Sequence, residues 1–180
     1  MHNGYQEAVD DGEGITDEIA EIIATRKQQA IDFYRKHNPD MREAKIQEHL
    51  KGIDFTKPVY VVKIPPNGLG KNKNELYQYT KLDNEGNVRQ GNYYTDNPKN
   101  TPTELGISDK YSVRDNNWKP TGEIKEVEQN VFEFNIENPV EGLKSTSKPI
   151  IDDWSIENID GVKIEVPTKG GGSQIYIPKQ

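Results

Sequence analysis

The sequence predicts an α+β fold, with N-terminal helices followed by a mostly antiparallel sheet carrying long loops. Three observations predict it. Apolar residues recur at three- and four-residue steps up to about residue 50, which is the helical period. After Lys57-Pro58 the period shortens to two, the signature of strands. The two patterns do not alternate along the chain, so helices and strands are segregated and a βαβ arrangement is disfavoured.

Residues 1–14 read as a loose, polar lead-in. From Thr16 onward Ile15, Ile19, Ile22, Ile23, Ala30, Phe33 and Tyr34 form one apolar stripe. Thr16 suits an N-cap, and Asp17 and Glu18 sit where the helix dipole favours acids. Asn38-Pro39 stops this helix. A second begins near Asp40, whose spacing to Glu43 suggests a capping box; Ile46 and Leu50 give its stripe and Gly52 its end. Val59 to Ile64 reads as a buried strand closed by Pro65-Pro66-Asn67-Gly68, and Leu76 to Thr80 as a second. Asp83 to Asn87 has hairpin-turn composition, with Val88 to Thr95 as the partner strand. Residues 96–122 read as loop with a helical turn at Thr103 to Leu105. Val131 to Ile136 and Val162 to Val166 alternate like half-buried strands. A last short strand follows Gly170-Gly171-Gly172, within Ser173 to Pro178.

Composition narrows the function. The 180 residues carry 23 basic and 30 acidic side chains, a net charge of −7. With a pI near 5.1 and no basic stripe, bulk binding of nucleic acid through its phosphates is not expected. There is no cysteine, which excludes disulfides, Cys-ligated zinc and a thiol nucleophile. No apolar run approaches the ~20 residues of a membrane span, and the first residues do not form a signal peptide. Mean hydropathy is −0.94, so the core should be modest and the loops wet.

Few residue sets suit chemistry. The three histidines, His2, His37 and His49, all fall in the helical part, which argues against a Ser-His-Asp triad or a His-rich metal site. His37 and His49 read as exposed helix residues. Asp152-Asp153 before Trp154 suits an acid or base, or more plainly a solvated turn. Gly68-Leu69-Gly70-Lys71 has the wrong spacing for a phosphate loop. Lys169-Gly170-Gly171-Gly172-Ser173-Gln174 is more informative. Glycines admit close backbone approach, and Gln174 then presents a neutral donor and acceptor at the mouth of a strand.

That ending follows Tyr77-Gln78-Tyr79, Gly91-Asn92-Tyr93-Tyr94, Leu143-Lys144-Ser145-Thr146-Ser147 and Asp153-Trp154-Ser155 in order. The series resembles the C-terminal toxin domains of bacterial polymorphic toxin systems. It is most similar to those related to ADP-ribosyltransferases and to the tuberculosis necrotizing toxin, an NAD glycohydrolase. The resemblance spans roughly Gly52 to Pro178. It implies residues 1–51 as a helical lead-in or pre-toxin segment and residues 52–180 as an NAD-binding toxin domain with a split sheet. It also implies NAD or NADP as substrate, with no metal. Gln174, Ser145 and Tyr94 would be catalytic. Gln78, Tyr79, Arg89, Gly91, Lys144, Trp154 and Gly172 would bind the dinucleotide.

Two departures stand out. The glycohydrolases carry an arginine where this chain has Gln78-Tyr79, with Arg89 and Arg114 the nearest substitutes. The transferase branch carries a late glutamate pair that is missing around Gln174. The expected activity is therefore NAD(P)+ glycohydrolysis. A mono-ADP-ribosyltransferase on the same fold and a non-enzymatic binding or immunity-type protein are the alternatives. The resemblance further implies a cognate immunity protein, secretion or delivery as part of a larger toxin, and action in the target cell's cytoplasm. Since every named residue follows Gly52, residues 1–50 are expected to be dispensable for chemistry.

Overall fold

The structure is a computed structural model and describes residues 16–64, 75–133 and 139–179. The lead-in, the Pro65–Lys71 segment and the end of the Val131–Ile136 strand lie outside the described residues. Helix α1 spans Asp17–His37. Thr16 caps it, its hydroxyl accepting from Ile19 N at 3.2 Å, and Asn38 N closes it on the Tyr34 carbonyl at 2.9 Å. Helix α2 spans Glu43–Lys51, but no capping box forms. Arg42 occupies the N-cap position. Glu43 is the first helical residue, and its carboxylate pairs with Arg35 Nη2 at 2.9 Å.

Eleven strands follow among the described residues: β1 (Tyr60–Ile64), β2 (Glu75–Leu82), β3 (Val88–Arg89), β4 (Tyr93–Tyr94), β5 (Lys110–Arg114), β6 (Pro120–Glu126), β7 (Glu128–Glu133), β8 (Val140–Thr146), β9 (Ile151–Glu157), β10 (Lys163–Pro167) and β11 (Ser173–Tyr176). Every pairing between them is antiparallel. They make a four-stranded sheet, β1-β8-β11-β4, a three-stranded sheet, β3-β2-β7, and the two ribbons β5-β6 and β9-β10.

Several elements differ from the sequence reading. The strand expected over Val88–Thr95 breaks in two. β3 pairs with β2 and β4 leaves to pair with β11, because the Gln78 side chain grips the connection from both ends. Gln78 Oε1 accepts from Gly91 N at 3.1 Å, and its Nε2 donates to the Tyr93 carbonyl at 2.8 Å. The expected loop over residues 96–122 contains β5 and the start of β6, with the 3-10 turn Thr103–Leu105 where it was expected. Strand β8 has no alternating apolar pattern because tertiary pairing on both edges holds it. Its Gly142 lies so close to β11 that a Cβ there would sit 2.9 Å from Ile175 Cγ2.

The four-stranded sheet separates two cores. On one face Ala30, Phe33, Tyr34, Ile46 and Leu50 of the helices pack with Ile53, Phe55, Val59, Leu143 and Tyr176. On the other, Ile64, Leu76, Tyr94, Ile175 and Ile177 pack with Phe132. The first core therefore straddles the 51/52 boundary read from the sequence. Tyr34 and Ile46 are essentially unexposed there. Burying such side chains stabilises by ~1.5–3 kcal/mol each, so losing the helices uncovers the sheet at a cost comparable to a domain's whole stability. A fragment of residues 52–180 should show no cooperative urea transition, and Ile46→Ala in the full chain should lose ~2–5 kcal/mol in the same assay. A cooperatively folded fragment would mean that the helices are an appendage.

Candidate active site

Strand β11 sits where it does because of the three glycines before it. Gly170 and Gly171 have φ of 67° and 88°, in the left-handed region that only glycine adopts without strain. A Cβ on Gly170 would lie 2.5 Å from Pro149 N, and one on Gly172 would lie 2.7 Å from the Glu104 carbonyl. Backbone bonds use that closeness. Gly172 N donates to Glu104 O at 2.8 Å, Gly171 N to Ser147 O at 2.7 Å, and Ser147 N to Gly172 O at 2.8 Å. The segment read as an approach route for a ligand is thus a clamp between the 103–105 turn and the end of β8. Gly172 abuts the Glu104 carbonyl and the Leu105 side chain.

The clamp sets the register that places Gln174 directly opposite Ser145 on β8. Alternation then puts Gln174 on the same face as Tyr176, toward the helices. Gln174 Nε2 donates to Ser145 Oγ at 3.2 Å and to the Gly52 carbonyl at 3.1 Å. Both hydrogens of the amide are used, so Oε1 is the end left to face a ligand. The side chain lies between two cavities. The smaller, of about 330 Å³, runs beneath β2 and the β3–β4 connection. The larger, of about 900 Å³, opens between α2, the 105–107 segment and the start of β9. They share Tyr93, Leu105, Ile107 and Gln174.

The other residues singled out from sequence fall in several places. Gln78, Tyr79, Arg89, Gly91 and Tyr94 line the small cavity, and Trp154 lines the large one. Ser145 lines neither and holds Gln174. Gln78 has its amide occupied by backbone, and Tyr79 donates its hydroxyl to Asn100 O at 2.6 Å. Lys144 is not brought to the site. It alternates to the opposite face of β8 from Ser145, and its Nζ lies 2.6 Å from Asp96 Oδ2.

Three further residues belong to the cavities. Asp152-Asp153 is part of β9 and not a turn. Asp152 is wholly buried and accepts from Ser108 N, Ser155 N and Ser155 Oγ, whereas Asp153 lines the large cavity. Neighbouring residues of a strand face opposite ways, which is why one becomes a brace and the other faces the cavity. His49 lines the same cavity, contrary to the sequence reading of an exposed helix residue. Its Nδ1 is 2.6 Å from Tyr93 Oη, which is 2.8 Å from Tyr34 Oη. Burial lowers the His49 pKa, aided by Lys45 and opposed by Glu48. Burial pushes both tyrosines up, so they stay protonated. A neutral imidazole thus ends a Tyr34–Tyr93–His49 hydrogen-bonded chain. Lys81, on the wall of the small cavity, is the third. No spacing in the sequence marks these positions.

A family model described as Bacterial toxin 46 (Ntox46) matches residues 10–180. The chain belongs to this toxin family. The match runs through both helices and the sheet. The toxin domain is also 31% identical over 151 residues to the NAD(P)(+) glycohydrolase toxin Tse6 of Pseudomonas aeruginosa, covering 83% of this chain. It spans only 29% of that protein's length. Among solved structures, one described as Tse6 in complex with Tsi6 superposes with a TM-score of 0.60 at 26% identity, covering 86% of this chain and 89% of that one. The α+β class read from the sequence agrees with this relative.

Two tests follow from the geometry. Gly172→Ala must push β11 off the 103–105 turn, so it should lower the melting temperature and also weaken any activity that depends on Gln174. An unchanged melting temperature would remove the clamp from the account. Because the unfolded chain protonates His49 before the folded one does, stability due to this group is lost as pH falls through 6.5. Between about pH 7.5 and about pH 5.5, the stability of the wild type in urea denaturation should fall more than that of His49→Gln. Parallel losses would place the acid sensitivity elsewhere.

Proposed function

We propose that this domain hydrolyses NAD(P)+ at the nicotinamide–ribose bond. The observation that carries the reading is Gln174, held by Ser145 and Gly52 at the junction of two cavities in a toxin domain related to an NAD(P)+ glycohydrolase toxin. Its free Oε1 is suited to accept from a ribose hydroxyl. That contact strengthens as positive charge grows on the sugar.

In the reaction, the bond between the anomeric carbon and the pyridinium nitrogen breaks and its electron pair returns to the ring, releasing neutral nicotinamide. Water adds its oxygen to the oxocarbenium carbon and gives up a proton. Nicotinamide leaves well without a strong acid, so the chain has to orient the ribose and stabilise a cation. Asp153 supplies the second need as a carboxylate in the cavity that Gln174 faces. Tyr94 and Tyr79 provide aromatic surface in the small cavity, and Trp154 in the large one.

Hydrolysis is preferred to transfer because the residues around Gln174, Gly172-Ser173-Gln174-Ile175-Tyr176, include no carboxylate. Residues 52–180 carry the chemistry in this reading, and α2 walls the large cavity. The domain would be delivered with a larger toxin, act where the target cell keeps its NAD(P)+, and be neutralised by a dedicated immunity protein. The relative's structure with Tsi6 supports a protein partner.

Purified protein with NAD+ or NADP+ should release nicotinamide and the free ribosyl product in equal amounts with turnover. Gln174→Ala should cut turnover by ~10²–10³ in a protein that still melts cooperatively, at a lower temperature because Ser145 Oγ and the Gly52 carbonyl lose their donor. Nicotinamide without the free ribosyl product would indicate transfer, and full activity in folded Gln174→Ala would reject the assignment.

A further inference from the structure

We propose that Lys81 is a substrate ligand, its Nζ and the Arg89 guanidinium together holding the pyrophosphate of the dinucleotide in the small cavity. The proposal rests on the NAD(P)+ reading for the identity of the ligand. The cation site itself stands on the structure.

Lys81 and Arg89 face each other across the β2–β3 pair and both line the cavity that Gln174 closes. Neither forms an ion pair among the described residues. Lys81 Nζ donates to Ser155 Oγ at 2.9 Å, and that hydroxyl leans on Asp152, whose oxygens serve Ser108 N, Trp154 N and Ser155 N. The carboxylate nearest the amine is therefore largely spent. Arg89 has a buried Nε without a partner, and its guanidinium carbon lies 4.5 Å from the centre of the Trp118 ring. Trp118 holds a φ of 65°, a conformation costly for an aromatic residue and kept only where the surroundings enforce it. The Asp115 turn does so, since Trp118 N donates to Asp115 O at 2.9 Å. Arg114 lies over the same ring at 5.4 Å but is paired with Glu157 at 3.4 Å.

Two unpaired cations side by side in a partly buried wall repel each other and are poorly solvated. An anion entering the cavity relieves both penalties, and a phosphoryl group suits the pairing of a fork and a point charge. The cavity's size selects which phosphate. At about 330 Å³ it is at the small end for ligand pockets and takes part of a dinucleotide. The part next to the reacting ribose at Gln174 carries the pyrophosphate, whereas a 2′-phosphate is on the far sugar.

The Lys81–Arg89 pair also carries a titration. Burial lowers the Lys81 pKa to about 8. Asp152 on β9 opposes the fall, and Arg89 on β3 and Arg114 on β5 add to it. Beyond these stand Asp83 and Tyr111 beside Arg89, and Glu157 on Arg114. Above pH 8 the free amine is neutral, so KM should climb with pH while substrate binding draws a proton in.

The test compares wild type, Lys81→Met and Lys81→Arg with NAD+ and NADP+ across pH, with circular dichroism as the fold control. Lys81→Met should raise KM for both dinucleotides alike, by ~10–100-fold, with a smaller change in kcat. Lys81→Arg should keep KM level where the wild type rises. An unchanged KM in Lys81→Met, a rise confined to NADP+, or identical pH profiles for Lys81→Arg and wild type would each overturn the proposal. If Lys81→Met does not fold, the Lys81→Arg profile decides alone. Calorimetry with inorganic pyrophosphate separates this proposal from the activity on which it rests. Binding that weakens in Lys81→Arg above pH 7 less than in wild type, in a protein that leaves NAD(P)+ intact, keeps the phosphate subsite and rejects the glycohydrolase reading. No pyrophosphate binding in a protein that also leaves NAD(P)+ intact rejects both.

Discussion

Gln174 Nε2 has two obligations, to Ser145 Oγ and to the Gly52 carbonyl, and meeting both requires three parts of the chain to arrive at one place. β8 brings Ser145, the end of α2 brings Gly52, and the glycine clamp brings Gln174 in register. A buried amide with an unmet donor costs about 1–3 kcal/mol, so the polar bond and the packing around it support each other. The helices are joined to the chemistry by the same bond. They complete the core beneath Tyr176 and provide the carbonyl that turns the Gln174 amide toward the cavities.

The polar groups of the site are divided between two chambers. Glu48 and Asp153 line the large cavity together with Lys45 and Lys51, so its charges balance, whereas the charged residues of the small one, Lys81 and Arg89, are both cationic. Gln174, neutral, stands between them. Under the proposed activity, the always-anionic pyrophosphate of a dinucleotide matches the small chamber. Among the described residues no carboxylate lines the small chamber beside Lys81 and Arg89. The residues that could collapse this arrangement are committed elsewhere: Asp152 to backbone and Ser155, Glu157 to Arg114, and Asp96 to Lys144.

Legibility differed by residue type. The α1 cap at Thr16, the stop at Asn38-Pro39 and the turn at Asp83–Asn87 are local hydrogen-bond chemistry and could be read directly. The α2 cap could not, because Glu43 was drawn to Arg35 on the other helix. Gln174 stood out because glycines precede it, and all three of those glycines bond to protein backbone. Gln78 and Gly91 converge on the small cavity through a bond between them that spacing does not encode. His49, Asp153 and Lys81 were passed over or read as solvated, since their meaning comes from what lies across a cavity.

By itself, the sequence determined the α+β class, the order of helices before strands, the absence of thiol chemistry and the resemblance to an NAD-consuming toxin. Each of these depends on composition, on periodicity within a short window or on an ordered motif. Tertiary structure alone decided that β8 is a central strand, that β3 and β4 belong to different sheets, that Lys144 turns away from the site and that His49 turns toward it. Those outcomes depend on pairing partners dozens of residues apart. Across such distances burial and register outweigh local propensity.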